Sequence, residues 1–193
     1  MNRIHNWYCN RESWKRHVRE EIVPPAIDGI DLGDDVLEVG PGFGPATEVL
    51  TTKAPRLTAL EIDPALASAL RDRLGERAEI VDGDATSMPF PDRSFSGAAC
   101  FTMLHHVPSA ELQDELFGEV FRVLEPGGVF AGTDSTDGGF MFMLAHVGDI
   151  NVPIDPATLG PRLQAAGFER VSIEYGDGVA AKTVRFRGYR PAA

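Results

Sequence analysis

A short apolar run, Val36-Leu37-Glu38-Val39, ends in Gly40-Pro41-Gly42-Phe43-Gly44 and leads into a helical pattern that starts at Pro45. Glycines at 40 and 42 let a backbone turn tightly and approach a ligand closely, because no Cβ stands in the way. A helix N-terminus behind such a turn offers unpaired N–H groups and a positive dipole end to a carboxylate or phosphate. Glu61 closes the next apolar run, 21 residues after Gly40. A carboxylate at that place can accept from both ribose hydroxyls of a nucleoside. Asp84, in Asp82-Gly83-Asp84-Ala85, ends a third run. There it can accept from the exocyclic amine of adenine, or it can serve a plain turn by bonding its own backbone.

The type of nucleoside depends on spacing. A dinucleotide fingerprint reads G-x-G-x-x-G/A. Here the third small position is Pro45, so the spacing is Gly-x-Gly-x-Gly instead. Glu38 stands two residues before Gly40. A carboxylate there suits a cationic amino group better than a pyrophosphate.

These residues need a frame. Between residues 35 and 135, short apolar runs alternate with helical patterns. The expected strands are Asp35 to Val39, Leu57 to Ile62, Ala78 to Val81, Gly97 to Thr102 and Val129 to Thr133. Pro45 to Lys53 and Ala65 to Leu74 read as helices. The second is opened by Asp63-Pro64 and closed by Gly75, a residue suited to a left-handed cap. Ser109 to Leu124 carries apolar residues at 112, 116, 117, 120, 121 and 124, which form one helix face. This alternation implies right-handed βαβ units and a parallel sheet covered on both faces. A helix from Pro156 to Ala166, closed by Gly167, precedes two more strands, Val171 to Tyr175 and Thr183 to Arg187. No helix fits between those two, so they must be antiparallel neighbours. The expected fold class is α/β: a doubly wound, mostly parallel, seven-stranded sheet with an antiparallel terminal strand. Residues 1–34 hold one expected helix, Glu12 to Ile22, stopped by Pro24-Pro25. They read as a helical extension to a main domain over 35–193.

Charge narrows the partners. The 193 residues carry 18 Lys and Arg against 29 Asp and Glu, a formal charge of −11. That balance speaks against nucleic acid and against an anionic membrane, since both reward clustered cations. The apolar runs fall far short of the roughly 20 residues of a membrane span. The polar N-terminal stretch lacks the apolar core of a secretory signal. Cys9 and Cys100 are therefore expected as free thiols in a cytoplasmic protein, and no metal-binding framework is visible.

Five segments, in order, resemble the class I S-adenosylmethionine-dependent methyltransferases, specifically the type 11-like small-molecule group. They are Leu37-Glu38-Val39-Gly40-Pro41-Gly42-Phe43-Gly44, Leu60-Glu61-Ile62-Asp63, Gly83-Asp84-Ala85 with Met88-Pro89-Phe90-Pro91-Asp92-Arg93-Ser94-Phe95, Leu104-His105-His106-Val107, and Arg122-Val123-Leu124-Glu125-Pro126-Gly127-Gly128. The resemblance covers about residues 35 to 135 and implies a Rossmann-like methyltransferase fold. By the same resemblance, Gly40, Pro41 and Gly42 would wrap the methionine part of S-adenosylmethionine, with Glu38 behind them. Glu61 would hold the ribose and Ile62 would pack on the adenine, flanked by Asp84 and Ala85. Phe101 and Thr102 would meet the methionyl amine through backbone carbonyls. S-adenosylhomocysteine would be the product, and no metal is implied.

The methyl acceptor is expected to be a small molecule, not nucleic acid. A general base is needed only if that molecule must lose a proton. His105, His106 and His146 are the candidates, and His105 and His106 equally suit a loop-shaping role. Asp134 and Ser135 end the fifth strand at the same rim. Residues 138–146, rich in Phe and Met, could line an apolar pocket or pack as a core helix. His5, Trp7, Tyr8, Cys9 and Trp14 could close over the cofactor or pack on the sheet. Nothing marks Cys9 as an activated thiol. Two other readings share this fold: a non-catalytic protein that binds or senses S-adenosylmethionine, and a nicotinamide-dependent oxidoreductase. The latter lacks both a small residue at 45 and a separate substrate domain.

Overall fold

The computed structural model describes residues 3–136, 150–176 and 183–192, with backbone alone for 3–5. Seven strands form one sheet: β1 (Asp35–Val39), β2 (Arg56–Glu61), β3 (Glu79–Asp82), β4 (Phe95–Phe101), β5 (Leu124–Ser135), β6 (Glu169–Tyr175) and β7 (Thr183–Tyr189). Their order is β3-β2-β1-β4-β5-β7-β6. All pairings from β3 to β5 are parallel, whereas β7 is antiparallel to both β5 and β6. The antiparallel strand is thus last in sequence but lies inside the sheet, and β6 forms the edge. The chain moves outward from β1 through β2 to β3, then returns to β4 on the other side of β1. That reversal is a topological switch point, and open α/β sheets bind ligands beyond the carboxyl ends of the strands there.

Alternation along the central strands sends side chains to two cores. Leu37, Val39, Cys100 and Phe130 pack with Leu116, Phe117 and Val120 of α6 (Ala110–Val123) and Leu159 and Leu163 of α7 (Pro156–Ala165). Val36, Ala99, Phe101 and Val129 face the other way, toward Leu50 of α4 (Pro45–Leu50) and Leu70 and Leu74 of α5 (Pro64–Leu74). Burial on both faces explains why these strands read as apolar runs without alternation.

Three sequence expectations change. Pro24-Pro25 does not stop the first helix. After α2 (Glu12–His17) the chain widens into a π turn over Val18–Ile22, and then continues as α3 (Val23–Ile27). Both prolines sit in the first turn of α3, where a missing N–H loses no intrahelical bond. Gly75 does not adopt a left-handed conformation: its φ is −62°, and its N–H bonds Arg71 O at 2.9 Å. Residues Arg3–Cys9 also form a helix, α1, ahead of the one expected.

The C-terminal end of α6 is closed by a distant side chain. Arg190 Nη1 donates to the carbonyls of Phe121, Arg122 and Leu124 at 2.6, 3.0 and 2.7 Å. Its guanidinium also lies 4.7 Å from the centre of the Phe121 ring. Arg190→Met keeps the aliphatic stem and removes the donors. It is expected to lower unfolding free energy in urea by roughly 2 kcal/mol, the scale of charged hydrogen bonds left unmade. A change within about 0.5 kcal/mol, typical of surface substitutions, would contradict this role.

Candidate functional site

The loop after β1 takes its shape from three glycines in the left-handed region: Gly40 at φ +68°, Gly42 at +54° and Gly44 at +77°. Each has a different spatial need. A Cβ on Gly40 would stand 2.2 Å from Met103 Cγ, so the loops after β1 and β4 pack together there. A Cβ on Gly44 would strike Leu70 Cδ2 at 2.4 Å, so this glycine lets the loop sit against α5. A Cβ on Gly42 would meet nothing within 4 Å. Gly42 therefore faces open space, and a side chain there would enter it. The close-packing role that a dinucleotide fingerprint gives to its third small residue falls to Gly44, one position before Pro45.

Two buried carboxylates stand behind this loop. Glu61 Oε2 accepts from Gly42 N–H at 2.9 Å and Oε1 from Asp63 N–H at 3.0 Å. Glu38 is 1% exposed, and its Oε2 has no hydrogen-bond partner in the structure, nor does Thr47 Oγ1. Burial pushes the Glu38 carboxyl up to about 8; the nearby Thr47 hydroxyl pulls it down, and the charge of Glu61 raises it. A buried acid without a charge partner is held protonated by desolvation.

Both carboxylates line a cavity of about 1050 Å³. Gly40, Pro41 and Gly42 border it, as do Ile62, Asp84, Ala85, Phe101 and Thr102. Ile62 is 67% exposed, an apolar side chain displayed at the end of β2. Asp84 Oδ1 is taken by Thr86, whose N–H and hydroxyl donate at 2.8 and 2.9 Å. The local turn expected as one reading of Asp84 is thus present. Thr102 has φ +51°, a sparsely populated conformation for a β-branched residue. Phe101 is buried beside it.

The far wall belongs to the turn after β4 and to the N-terminus. His105 and His106 both border the cavity, within the 3-10 turn Leu104–His106, and their rings lie 4.1 Å apart. His105 Nδ1 is 2.6 Å from Asp134 Oδ1, and both side chains are buried. Trp7, Tyr8 and Cys9 of α1 and Trp14 of α2 also border the cavity. His146 and residues 138–145 lie outside the described residues, as does the side chain of His5.

Comparison with known proteins decides among the nucleoside-binding classes. A family model described as a methyltransferase domain matches residues 37–132. The chain is 30% identical over 177 residues to a Mycolicibacterium smegmatis protein that carries the name S-adenosylmethionine-dependent methyltransferase, covering 88% of this chain and 66% of that one. The chain belongs to the class I S-adenosylmethionine-dependent methyltransferases. The sterol 24-C-methyltransferase ERG6B of Gibberella zeae is 32% identical over 158 residues, 79% of this chain and 36% of that protein. The chain thus spans about a third of the length of that relative. A Haloferax volcanii protein, solved in complex with the Trm112 methyltransferase activator, superposes with a TM-score of 0.76 at 15% identity over 99% of both chains, which shows the fold. The methyltransferase family, and not the nicotinamide oxidoreductases, is the one matched, in line with the sequence resemblance.

In this family member every candidate cofactor residue named from sequence borders one cavity. The sequence reading missed the pairing of His105 with Asp134 and the unpartnered Thr47 hydroxyl. It also missed Gly44, whose need for a bare backbone appears only once α5 is seen against the loop. Among the described residues, no group of three or more His, Cys, Asp or Glu is arranged to hold a metal. No described helix is long and apolar enough to cross a membrane.

The raised Glu38 carboxyl makes stability depend on pH. The folded state binds this proton more tightly than the unfolded chain, so the stability that Glu38 contributes is greatest below the unfolded carboxylate range. It declines as pH rises from about 4.5 to about 8, and levels off above that. Glu38→Gln is expected to flatten the decline. Urea unfolding at several pH values should show the variant gaining on the wild type by a few kcal/mol across this window, at up to about 1.4 kcal/mol per pH unit. A constant difference across the window would show that Glu38 is not the group responsible.

Proposed function

We propose that this chain transfers the methyl group of S-adenosylmethionine to a small-molecule methyl acceptor bound in the same cavity. The observation that carries the reading is the buried Glu38 carboxyl, whose Oε2 has no hydrogen-bond partner, beside a glycine loop whose Gly42 faces open space. A polar atom buried without a partner is expensive unless a ligand completes it. A cationic amino group next to Glu38 would do so, and it would convert the carboxyl to a carboxylate.

The remaining residues suit the other parts of that cofactor. Glu61 is anchored by two backbone donors and keeps lone pairs for ribose hydroxyls. Ile62 offers an apolar face for adenine, with Asp84 and Ala85 on its edge. Phe101 and Thr102 bring backbone to the amino end. When bound, the cofactor supplies an electrophilic methyl group on a positively charged sulfur, so the protein's task is alignment and exclusion of water. Residues 1–34 would serve as a cap, since Trp7, Tyr8, Cys9 and Trp14 already wall the cavity. Among the described residues, no Lys or Arg lines it, which supports a small acceptor over a polyanion such as nucleic acid.

Isothermal titration with S-adenosylhomocysteine tests this reading. The wild type is expected to bind, and Glu61→Ala to bind at least 100-fold more weakly, given two lost charged hydrogen bonds of roughly 1.5–3 kcal/mol each. Gly42→Val is expected to abolish binding. Failure of the wild type to bind, or unchanged affinity in both variants, would refute the assignment.

A further inference from the structure

The loop between β3 and β4, residues 83–94, brings Asp84 and Ala85 to the cavity. Two side chains of α6 hold it. Glu119 Oε2 accepts from Met88 N–H at 2.7 Å and Arg122 Nη2 donates to Met88 O at 3.1 Å, so both backbone groups of one residue are taken. Arg122 Nη1 donates to Phe90 O and to Asp92 Oδ1, each at 2.8 Å. Its Nε and Nη2 donate to Glu119 Oε1 and Oε2 at 2.7 and 2.8 Å. These five bonds use all five N–H donors of the guanidinium, which leaves none for a ligand. Glu119 and Arg122 do not border the cavity. Their effect on it passes through the loop.

The path is short. Pro89 lies between the two gripped residues, Met88 and Phe90. A Cβ on Gly83 would stand 3.3 Å from Pro89 Cδ and 2.8 Å from Leu60 Cδ1, so both pack closely against Gly83. Gly83 N–H also donates to Glu61 O at 3.0 Å. Between Gly83 and Met88 the chain makes one tight turn. Ser87 N–H donates to Asp84 O at 3.1 Å, and Thr86 N–H to Asp84 Oδ1 at 2.8 Å. Asp84, Ala85 and Thr86 of this turn border the cavity. The helix behind it is a firm base, because Leu116, Phe117, Val120 and Val123 are buried in the core together with Met88. A surface loop is ordinarily mobile. One that is tied to a strand at one end and to a packed helix at the other keeps its shape before a ligand arrives.

We infer that Glu119 and Arg122 are positioning residues for base recognition: they hold the turn at 84–87 so that it meets the exocyclic amine of adenine. This rests on the cofactor reading above. An amine donates and a carboxylate such as Asp84 accepts. A base with a carbonyl in place of the amine would set two acceptors against each other. Discrimination of that kind needs the acceptor held in place, because a mobile loop moves away from the mismatch at little cost.

Isothermal titration of S-adenosylhomocysteine against S-inosylhomocysteine, which carries a carbonyl in place of that amine, tests the inference. The wild type is expected to prefer S-adenosylhomocysteine by roughly 30-fold or more, the scale of one charged hydrogen bond. Arg122→Met keeps the aliphatic stem and removes the donors. It is expected to lose about 10-fold toward S-adenosylhomocysteine and less than about 3-fold toward the oxo analogue, since the two ligands differ only where the turn reads them. Glu119→Gln weakens the acceptor of Met88 N–H and of Arg122, and should shift the preference in the same direction.

Equal losses toward both ligands, or no loss toward either, would overturn the positioning role. A wild type that binds S-adenosylhomocysteine without preferring it would overturn it too. No binding of S-adenosylhomocysteine by the wild type would instead overturn the cofactor reading itself. Should the variants fail to fold, hydrogen exchange of the ligand-free wild type answers alone. The Met88 amide is expected to exchange at least about 100-fold more slowly than in an unstructured chain, and to slow by less than about 3-fold more when S-adenosylhomocysteine is added. Protection of Met88 that arises only with the ligand would overturn the inference.

Discussion

Two hydrogen bonds to one carboxylate set the shape of the whole cleft. Glu61 accepts from Gly42 and from Asp63, so the end of β2 grips both the glycine loop and the approach to α5. The same stretch of β2 also holds the loop through Gly40 N–H to Leu60 O at 2.9 Å. With the loop held there, its backbone must run through three left-handed positions, and Met103 from the next loop fills the space under Gly40. Remove the anchor and the wall facing the cavity loses its form, even if the sheet beneath stays intact.

Charge is distributed unevenly around that wall. Glu38 and Glu61 lie buried behind the glycine loop, where the charge of Glu61 makes Glu38 harder to ionise. Much of the remaining lining is aromatic and aliphatic, with His105 and His106 among it. A ligand with a positive amino end and an apolar neighbour fits this division, because each half then meets its complement. The formal charge of −11 has little part in it. Most of the acids lie elsewhere on the surface, where they act against association with polyanions.

Chemistry carried by neighbours in sequence was legible, and chemistry carried by neighbours in space was not. Glu38, Gly40 and Gly42 stand within five residues, and a strand followed by a glycine turn needs little context to interpret. Glu61 and Asp84 were legible because strand ends in a parallel sheet all point to one edge. His105 and Asp134 are 29 residues apart. They meet only because β4 and β5 pair with Phe101 opposite Thr133, a register that the strand pattern does not reveal. Pro24-Pro25 misled for a related reason. A proline ends a helix when its N–H is needed, and the π turn before these two had already removed that need. Asp84 shows the opposite case, where the turn reading needed only near neighbours, since Thr86 two residues on takes Oδ1.

The central claim is that this cavity receives S-adenosylmethionine with its amino end at Glu38 and its nucleoside on Glu61. A crystal structure of the chain with S-adenosylhomocysteine bound addresses it directly. The expected density places the amino group in contact with the Glu38 carboxylate, both ribose hydroxyls on Glu61, and the adenine against Ile62 with its amine toward Asp84. Density for the product elsewhere on the molecule, or in the cavity with its ends exchanged so that the adenine sits by Glu38, would contradict the assignment.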